Sequence, residues 1–384
     1  MLLAVAVSSN LVFGGSLPNS NLRGLAATPQ GFIGAAKVNA IGEALIPMIQ
    51  GTSQFEQLSK GTTYKVTSQS FGYSWGPKGT HERVILFSPD NTSYIVAEVA
   101  LPEQLSNVSD NFSTALSTDI SKSQIQNMYL VMNNHISFGT SSGAYGGYGA
   151  NFGLFGSTLS EAYGNIQVPS KISKPSTGCS DNACAVFGEW TGVSIGSGGA
   201  NLTQGGVAWF GFNVTPPSNS VKGWSLFVER IPSSGSGTAV LFKPPSGFVP
   251  QGNTIAMKTE PIANCLNGGD QWWQYWTIGS TGTSQEIGCD PNNLAQGWFI
   301  FESPGPCSGR GCFDSSQFGY VYQIPEFSSV SFTGNICNNV GTCSNINSDT
   351  NGVYYIQHNS QDTSTSSISG GSSGSWTESW LSSS

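Results

Sequence analysis

Through much of its length the chain alternates apolar and polar positions at period two, the spacing of strands that bury one face. Glu189 to Phe210 carries the pattern that organises the rest. Two strand-like runs flank the cluster Gly196 to Gly199, which has hairpin length. In the second run Leu202, Gln204 and Gly206 share one face, and Thr203, Gly205 and Val207 share the other. A lone glutamine at such a position is ordinarily an outward polar residue on a half-wet strand. Its neighbours further along the chain give Gln204 more weight.

The same patterning predicts the remaining elements. Phe32 to Gln50, rich in Ala, Ile and Met, reads as one amphipathic helix with Pro47 near its end. Tyr64 to Thr67, Val84 to Phe87 and Tyr94 to Val99 read as strands, Asp110 to Met128 as a second helix, and Met128 to Met132 as a strand. Gly139 to Gly149 is a Gly/Ser/Tyr stretch that reads as a hinge, which sets a domain boundary there. Beyond it strands and turns follow one another: 162–168, 185–193, 201–214, 224–231, 239–242, 254–259, 271–278, 297–302 and 328–332, with a last strand around Trp376, Trp380 and Leu381. The expected fold class is all-β, an antiparallel sandwich or barrel, with an N-terminal α+β segment or small domain at 1–140 and the β domain at 141–384.

Composition narrows the setting. The 384 residues carry only 9% charged side chains, against about 25% in an average soluble domain. Aromatic residues make up 11% and the net charge is -8, so the chain has the means to build a core. In strong acid the 14 Lys+Arg and 3 His bear at most 14 + 3 = 17 positive charges, a small load that limits acid unfolding. The sparse Lys and Arg form no cluster of the kind that binds nucleic acid. No segment approaches the roughly 20 continuous apolar residues of a membrane span. Met1 to Val7 is apolar but short, and fits the remnant of a signal core.

The eight cysteines are Cys179, Cys184, Cys265, Cys289, Cys307, Cys312, Cys337 and Cys343. Cys179/Cys184 and Cys307/Cys312 come close to zinc-ligand spacing, yet they sit in Gly/Ser/Asn/Asp loops, and His81, His135 and His358 are scattered. Disulfides in sequential pairs are expected, with no metal and no organic cofactor, in an oxidising and therefore secreted, extracellular setting. Asn91, Asn107, Asn111, Asn201 and Asn213 each begin an Asn-x-Ser/Thr sequon.

From about Tyr145 to the C-terminus an ordered set of motifs resembles the glutamic peptidases called eqolisins, which are acid endopeptidases. The set comprises Tyr145-Gly146-Gly147, Ile166 to Pro169, Trp190-Thr191-Gly192-Val193, Gln204-Gly205-Gly206, Glu229 to Pro232, Gly252 to Ile255, Trp298 to Glu302 and Ile324 to Phe327. The resemblance implies a sandwich of two antiparallel sheets whose concave face binds extended peptide. It also implies Gln204 and Glu302 as the catalytic pair, with Trp190 and Glu229 lining the substrate cleft. The family often has Asp four residues after the Trp and four after the Gln, where this chain has Ser194 and Ala208. Residues 1–140 fall outside the resemblance and are expected to be a pro-segment, as in a zymogen, or an accessory domain.

The residues allow the implied chemistry on their own terms. Glu302 shares a strand face with Trp298 and Ile300, and a carboxyl in apolar surroundings holds its proton to higher pH. Such a group takes a proton from water and later returns one to a leaving amine. An amide N–H from Gln204 would stabilise the oxyanion, a contribution of about 2.7–4 kcal/mol for one donor. Gly139 to Gly143 and Gly370 to Gly374 match the nucleophile-elbow pattern but lack its strand-to-helix setting. The expectation is a monomeric secreted acid endopeptidase acting on polypeptides. The alternative is an inactive or carbohydrate-binding sandwich in which Trp272, Trp273, Tyr275 and Trp276 stack on sugar, although alternation also permits those rings to be core.

Overall fold

The computed structural model describes residues 31–102, 128–134, 139–151, 159–173, 186–195, 201–210, 223–232, 237–265, 268–290, 296–305, 326–338, 343–345, 352–357, 364–370 and 375–383. In chain order the elements are helix α1 (Ala35–Gln50), helix α2 (Ser53–Ser59), β1 (Phe71–Trp75), β2 (Thr80–Phe87), β3 (Ser93–Leu101), β4 (Tyr129–Asn134), β5 (Gly139–Asn151), β6 (Leu159–Gln167), β7 (Ile172–Ser173) and β8 (Val186–Ser194). There follow β9 (Leu202–Phe210), β10 (Gly223–Ile231), β11 (Thr238–Phe242), β12 (Thr254–Asn264), β13 (Asp270–Ile278), β14 (Thr281–Asp290), β15 (Gln296–Gly305), β16 (Glu326–Phe327), β17 (Val330–Asn338), β18 (Cys343–Asn345), β19 (Gly352–Gln357), β20 (Ser364–Gly370) and β21 (Ser375–Ser383).

Two antiparallel sheets make the sandwich. Sheet A runs β20-β21-β17-β6-β12-β13-β14-β1-β2-β3-β4, with β18 attached to β17. Sheet B runs β11-β10-β9-β8-β15-β5-β19. Alternation sends Val193, Val207, Leu226, Val228, Val240, Phe299 and Phe301 from sheet B to meet Ile166, Ile255, Met257, Trp272, Trp276 and Ile336 from sheet A in one core.

A second core lies on the other side of sheet A. There α1 sets Val38, Ile41, Leu45 and Ile49 against Phe71, Tyr73, Trp75, Val84, Leu86, Trp273 and Tyr275. Its apolar residues recur at helical spacing; Pro47 lies in the last turn, which Gly51 and Thr52 close on the Pro47 and Ile49 carbonyls at 3.1 Å each. Gly42 lets the helix come close, since a side chain there would meet the Phe71 ring. The short α2 starts on Thr52, whose hydroxyl accepts the Phe55 N–H at 3.1 Å.

Several predicted elements take a different form. Gly139 to Gly149 is a strand, not a hinge: β5 pairs with β15 on one side and β19 on the other. Its glycines suit a strand whose neighbours approach closely, which composition alone makes look like a linker. Tyr64 to Thr67 forms a single bridge, Lys65 to Phe87, rather than a strand. The predicted helix at 110–128 lies outside the described residues. Strands β1 to β4, from the segment before residue 140, continue sheet A because β1 pairs with β14 from Gly72–Gln285 to Trp75–Gly282.

Cys265–Cys289 and Cys337–Cys343 are disulfides between sequential partners; Cys179, Cys184, Cys307 and Cys312 lie outside the described residues. Glu161 approaches Cys337 and Cys343, but both sulfurs are committed to their bond. At the β11 edge of sheet B, the Tyr94 hydroxyl accepts the Leu241 N–H at 2.8 Å and donates to the Leu241 carbonyl at 3.1 Å. No described helix is long and apolar enough to cross a membrane.

Candidate active site

The outer face of sheet B holds the predicted residues. Gln204 on β9 pairs across the ladder with Glu229 on β10 on one side and Gly192 on β8 on the other. Its amide Nε2 donates to Glu229 Oε2 at 2.6 Å. Both residues are shut from solvent, at 1% and 0% exposure. The contact fixes which end of the amide faces Glu229, because only the NH₂ can donate to a carboxylate. Gln204 Oε1 has no hydrogen-bond partner among the described residues.

The strand beneath is pinned from behind. Trp276 Nε1 donates to the Gly206 carbonyl at 3.1 Å. Gly205 faces the core, where a Cβ would sit 2.5 Å from Gln274 Cγ. Gln274 joins Thr259 at 2.5 Å and Thr191 at 3.2 Å, forming a small buried polar network between the sheets. At the end of β9, Asp290 accepts from Thr203 and, at 2.9 Å, from Arg230 Nε. Burial pushes the Asp290 carboxyl up from its ordinary range, while these donors pull it back.

Glu302 lies on the same strand parity but at another level. It pairs with Gly188 of β8 and Tyr145 of β5, whereas the β15 residue level with Gln204, through Gly192, is Trp298. Two strand spacings and four residues of rise separate the two, roughly 16 Å between Cα positions in a flat sheet. The structure therefore joins Gln204 to Glu229 and does not join it to Glu302. Glu302 is 6% exposed, and β15 runs beyond it to Gly305, so it is interior to its strand rather than its end. Trp190 occupies the position between Gly206 and Ile300; its side chain lies outside the described structure. Ser194 accepts from Trp298 Nε1 at 2.7 Å, and Ala208 is buried. Sequence reasoning missed the Gln204–Glu229 bond, which becomes legible once Gln204 and Glu229 are known to be directly opposite.

Two other constellations fail on geometry. Trp272, Trp273, Tyr275 and Trp276 are at most 1% exposed and divided between the two cores, so none is available to stack on sugar. A cavity of about 280 Å³ is lined by Ser74, His81, Glu98 and Lys243 among others. Ser74 is opposite His81 in the ladder, yet its hydroxyl has no hydrogen-bond partner among the described residues, and Glu98 is bound to Arg83 at 2.5 Å. That arrangement lacks the hydrogen-bonded chain of a nucleophilic triad.

Three solved structures show what this chain is similar to. Scytalido-glutamic peptidase with a peptide-based transition-state analogue is 18% identical with a TM-score of 0.39, covering 62% of this chain and 98% of that one. SCP-B, a member of the eqolisin family of peptidases, in complex with the tripeptide Ala-Ile-His, is 18% identical with a TM-score of 0.40, covering 62% and 98%. Scytalido-glutamic peptidase with a transition-state analogue inhibitor is 17% identical with a TM-score of 0.40, covering 63% and 99%. No protein-family profile and no curated protein sequence matches the chain.

Proposed function

We propose that the chain is a secreted acid endopeptidase in which Gln204 and a carboxylate on the outer face of sheet B act directly on a water molecule. The observation that carries this reading is the buried 2.6 Å contact of Gln204 with Glu229. One N–H of the amide is spent on Glu229, which orients it; the second N–H and the unpartnered Oε1 remain for substrate. The N–H stabilises the developing oxyanion, and Oε1 holds the attacking water. A carboxylate takes the proton from that water, and the resulting acid returns it to the amine as the carbon–nitrogen bond breaks. No acyl-enzyme forms.

Glu302 is the carboxylate that motif order assigns to this base, with Glu229 as the positioning group and Trp190 lining the cleft. For Glu302 to share a water with Gln204, the face has to open and the two residues have to draw together. The near-complete burial of Gln204, Glu229 and Glu302 supports a latent form that opens before catalysis. The zymogen expectation thus narrows to opening of this face, with β1 to β4 remaining in sheet A. A second reading, favoured by the 2.6 Å contact itself, gives Glu229 the role of base.

The test is hydrolysis of unfolded casein between pH 2 and 7 by the wild type, Gln204→Ala, Glu302→Gln and Glu229→Gln, with folding checked by circular dichroism. Gln204→Ala is expected to lose at least a hundredfold in rate, in line with loss of an oxyanion donor. Loss of all activity in Glu302→Gln with a partial loss in Glu229→Gln supports the first assignment, and the reverse supports the second. Full activity in Gln204→Ala, or no cleavage by folded wild type at any pH, defeats the peptidase reading.

A further inference from the structure

Two carboxyl groups lie under α1, away from the candidate active site. Glu82 on β2 is fully buried, and neither of its oxygens has a hydrogen-bond partner among the described residues. It stands opposite Tyr73 and close under α1, where a Cβ at Gly42 would be 3.1 Å from its Oε1. Glu286 on β14, opposite Trp273, is 1% exposed. It accepts from the Phe71 N–H at 3.2 Å and from Gln271 Nε2 at 2.5 Å, and the Asn39 side chain of α1 approaches it. The surrounding charges do little to compensate. α1 contributes Lys37 and the exposed Glu43; β1 contributes Tyr73; Arg83 of β2 points to the opposite face, where it binds Glu98 of β3; Glu260 on β12 is bound to Lys258. A fully ionised Glu82 would be a buried charge without a hydrogen bond, an expensive state for a folded protein.

We propose that Glu82 and Glu286 form an acid-dependent clasp for α1, seating the helix on sheet A while they are neutral and releasing it when they ionise. Burial is the main cause that pushes Glu82 well above the carboxylate range, opposed by Arg83 and reinforced by Glu98 and Glu286. Burial likewise pushes Glu286 up to about 8, against the pull of its hydrogen bonds. Both acids are weaker in the folded state than in the unfolded chain. Their stabilisation is therefore fully present below the ordinary glutamate value of about 4.5 and is lost as pH rises through the folded values, near 8 for Glu286. Release would uncover the Phe71 ring, against which α1 packs at Gly42, and the apolar residues of β1 and β2 that share this core. This device does not depend on the peptidase reading.

Hydrogen exchange of the full chain between pH 5 and 9, corrected for intrinsic exchange, tests the clasp. Protection of α1 amides is expected to fall on the order of a hundredfold, while β9 and β10 retain theirs. In Glu82→Gln/Glu286→Gln the fall should shrink to less than about threefold, because neither amide ionises. Carbon-13 titration of glutamate carboxyls in the wild type provides a second readout that does not require the variant to fold, with the Glu286 resonance expected to titrate near pH 8. Constant α1 protection, loss of protection throughout the molecule at the same pH, or no carboxyl titrating above pH 6.5 overturns the proposal.

Discussion

On the outer face of sheet B, Glu229 is buried with the Gln204 amide donating to it at 2.6 Å; on the outer face of sheet A, Glu82 is buried with no hydrogen bond to either oxygen among the described residues. Both sit on strands of the same sandwich, and both are fully shut from solvent. What differs is the partner. Glu229 is matched with an amide that keeps one N–H and one carbonyl oxygen for a third molecule, which is what a reaction needs. Glu82 is matched with Phe71 and the backbone of Gly42, which close over it. A buried carboxyl is thus a weak sign of chemistry until its neighbours are named, since burial alone changes acidity on either face.

The strongest way to separate the two faces is truncation. A chain beginning at residue 141 loses β1, leaving β14 as an unpaired edge and uncovering Trp273 and Tyr275. We expect it to be insoluble or molten, as seen by near-ultraviolet circular dichroism; a soluble, cooperatively melting product would show that sheet B and its half of sheet A fold without the N-terminal strands.

A matched pair of substitutions has the next largest effect and should differ in sign. Glu229→Leu leaves the Gln204 Nε2 donor buried without its acceptor and is expected to cost about 1–3 kcal/mol. Glu82→Leu removes a buried carboxyl that lacks a hydrogen-bond partner among the described residues, so at pH 8 it should raise Tm, with little effect at pH 4. Thermal melts at the two pH values decide it; the same sign at pH 8 would remove the contrast. The smallest effect is expected of Trp276→Phe, which removes the donor to the Gly206 carbonyl and should lower stability by about 1 kcal/mol in a urea titration.

Much of this was legible from alternation. The two faces of β9, the division of Trp272 and Trp276 from Trp273 and Tyr275, and the span of α1 follow from periods of two and 3.6 residues. β5 was not legible, because its Gly, Ser and Tyr residues have linker composition and only pairing with β15 and β19 makes them a strand. β14 was also missed: Thr281 to Asp290 has few apolar residues, yet most of them are buried by a polar network that includes Gln285 and Arg83. At the site, residue type and face could be read for Gln204, Glu229 and Glu302. Register could not, and register is what sets Glu229 beside Gln204 and Glu302 two strands over and four residues out of step.

The Tyr94 hydroxyl gives the β11 edge an outcome of its own. One side chain occupies both backbone hydrogen-bonding groups of Leu241, the pair that a foreign strand would need in order to add to sheet B at that point. Burial pushes the hydroxyl's pKa above the ordinary tyrosine range, so it keeps its proton and remains a donor at any pH the protein would meet. Self-association by strand addition at Leu241 must first withdraw Tyr94 from the interior, which makes this edge resistant to the stacking that leads to aggregates.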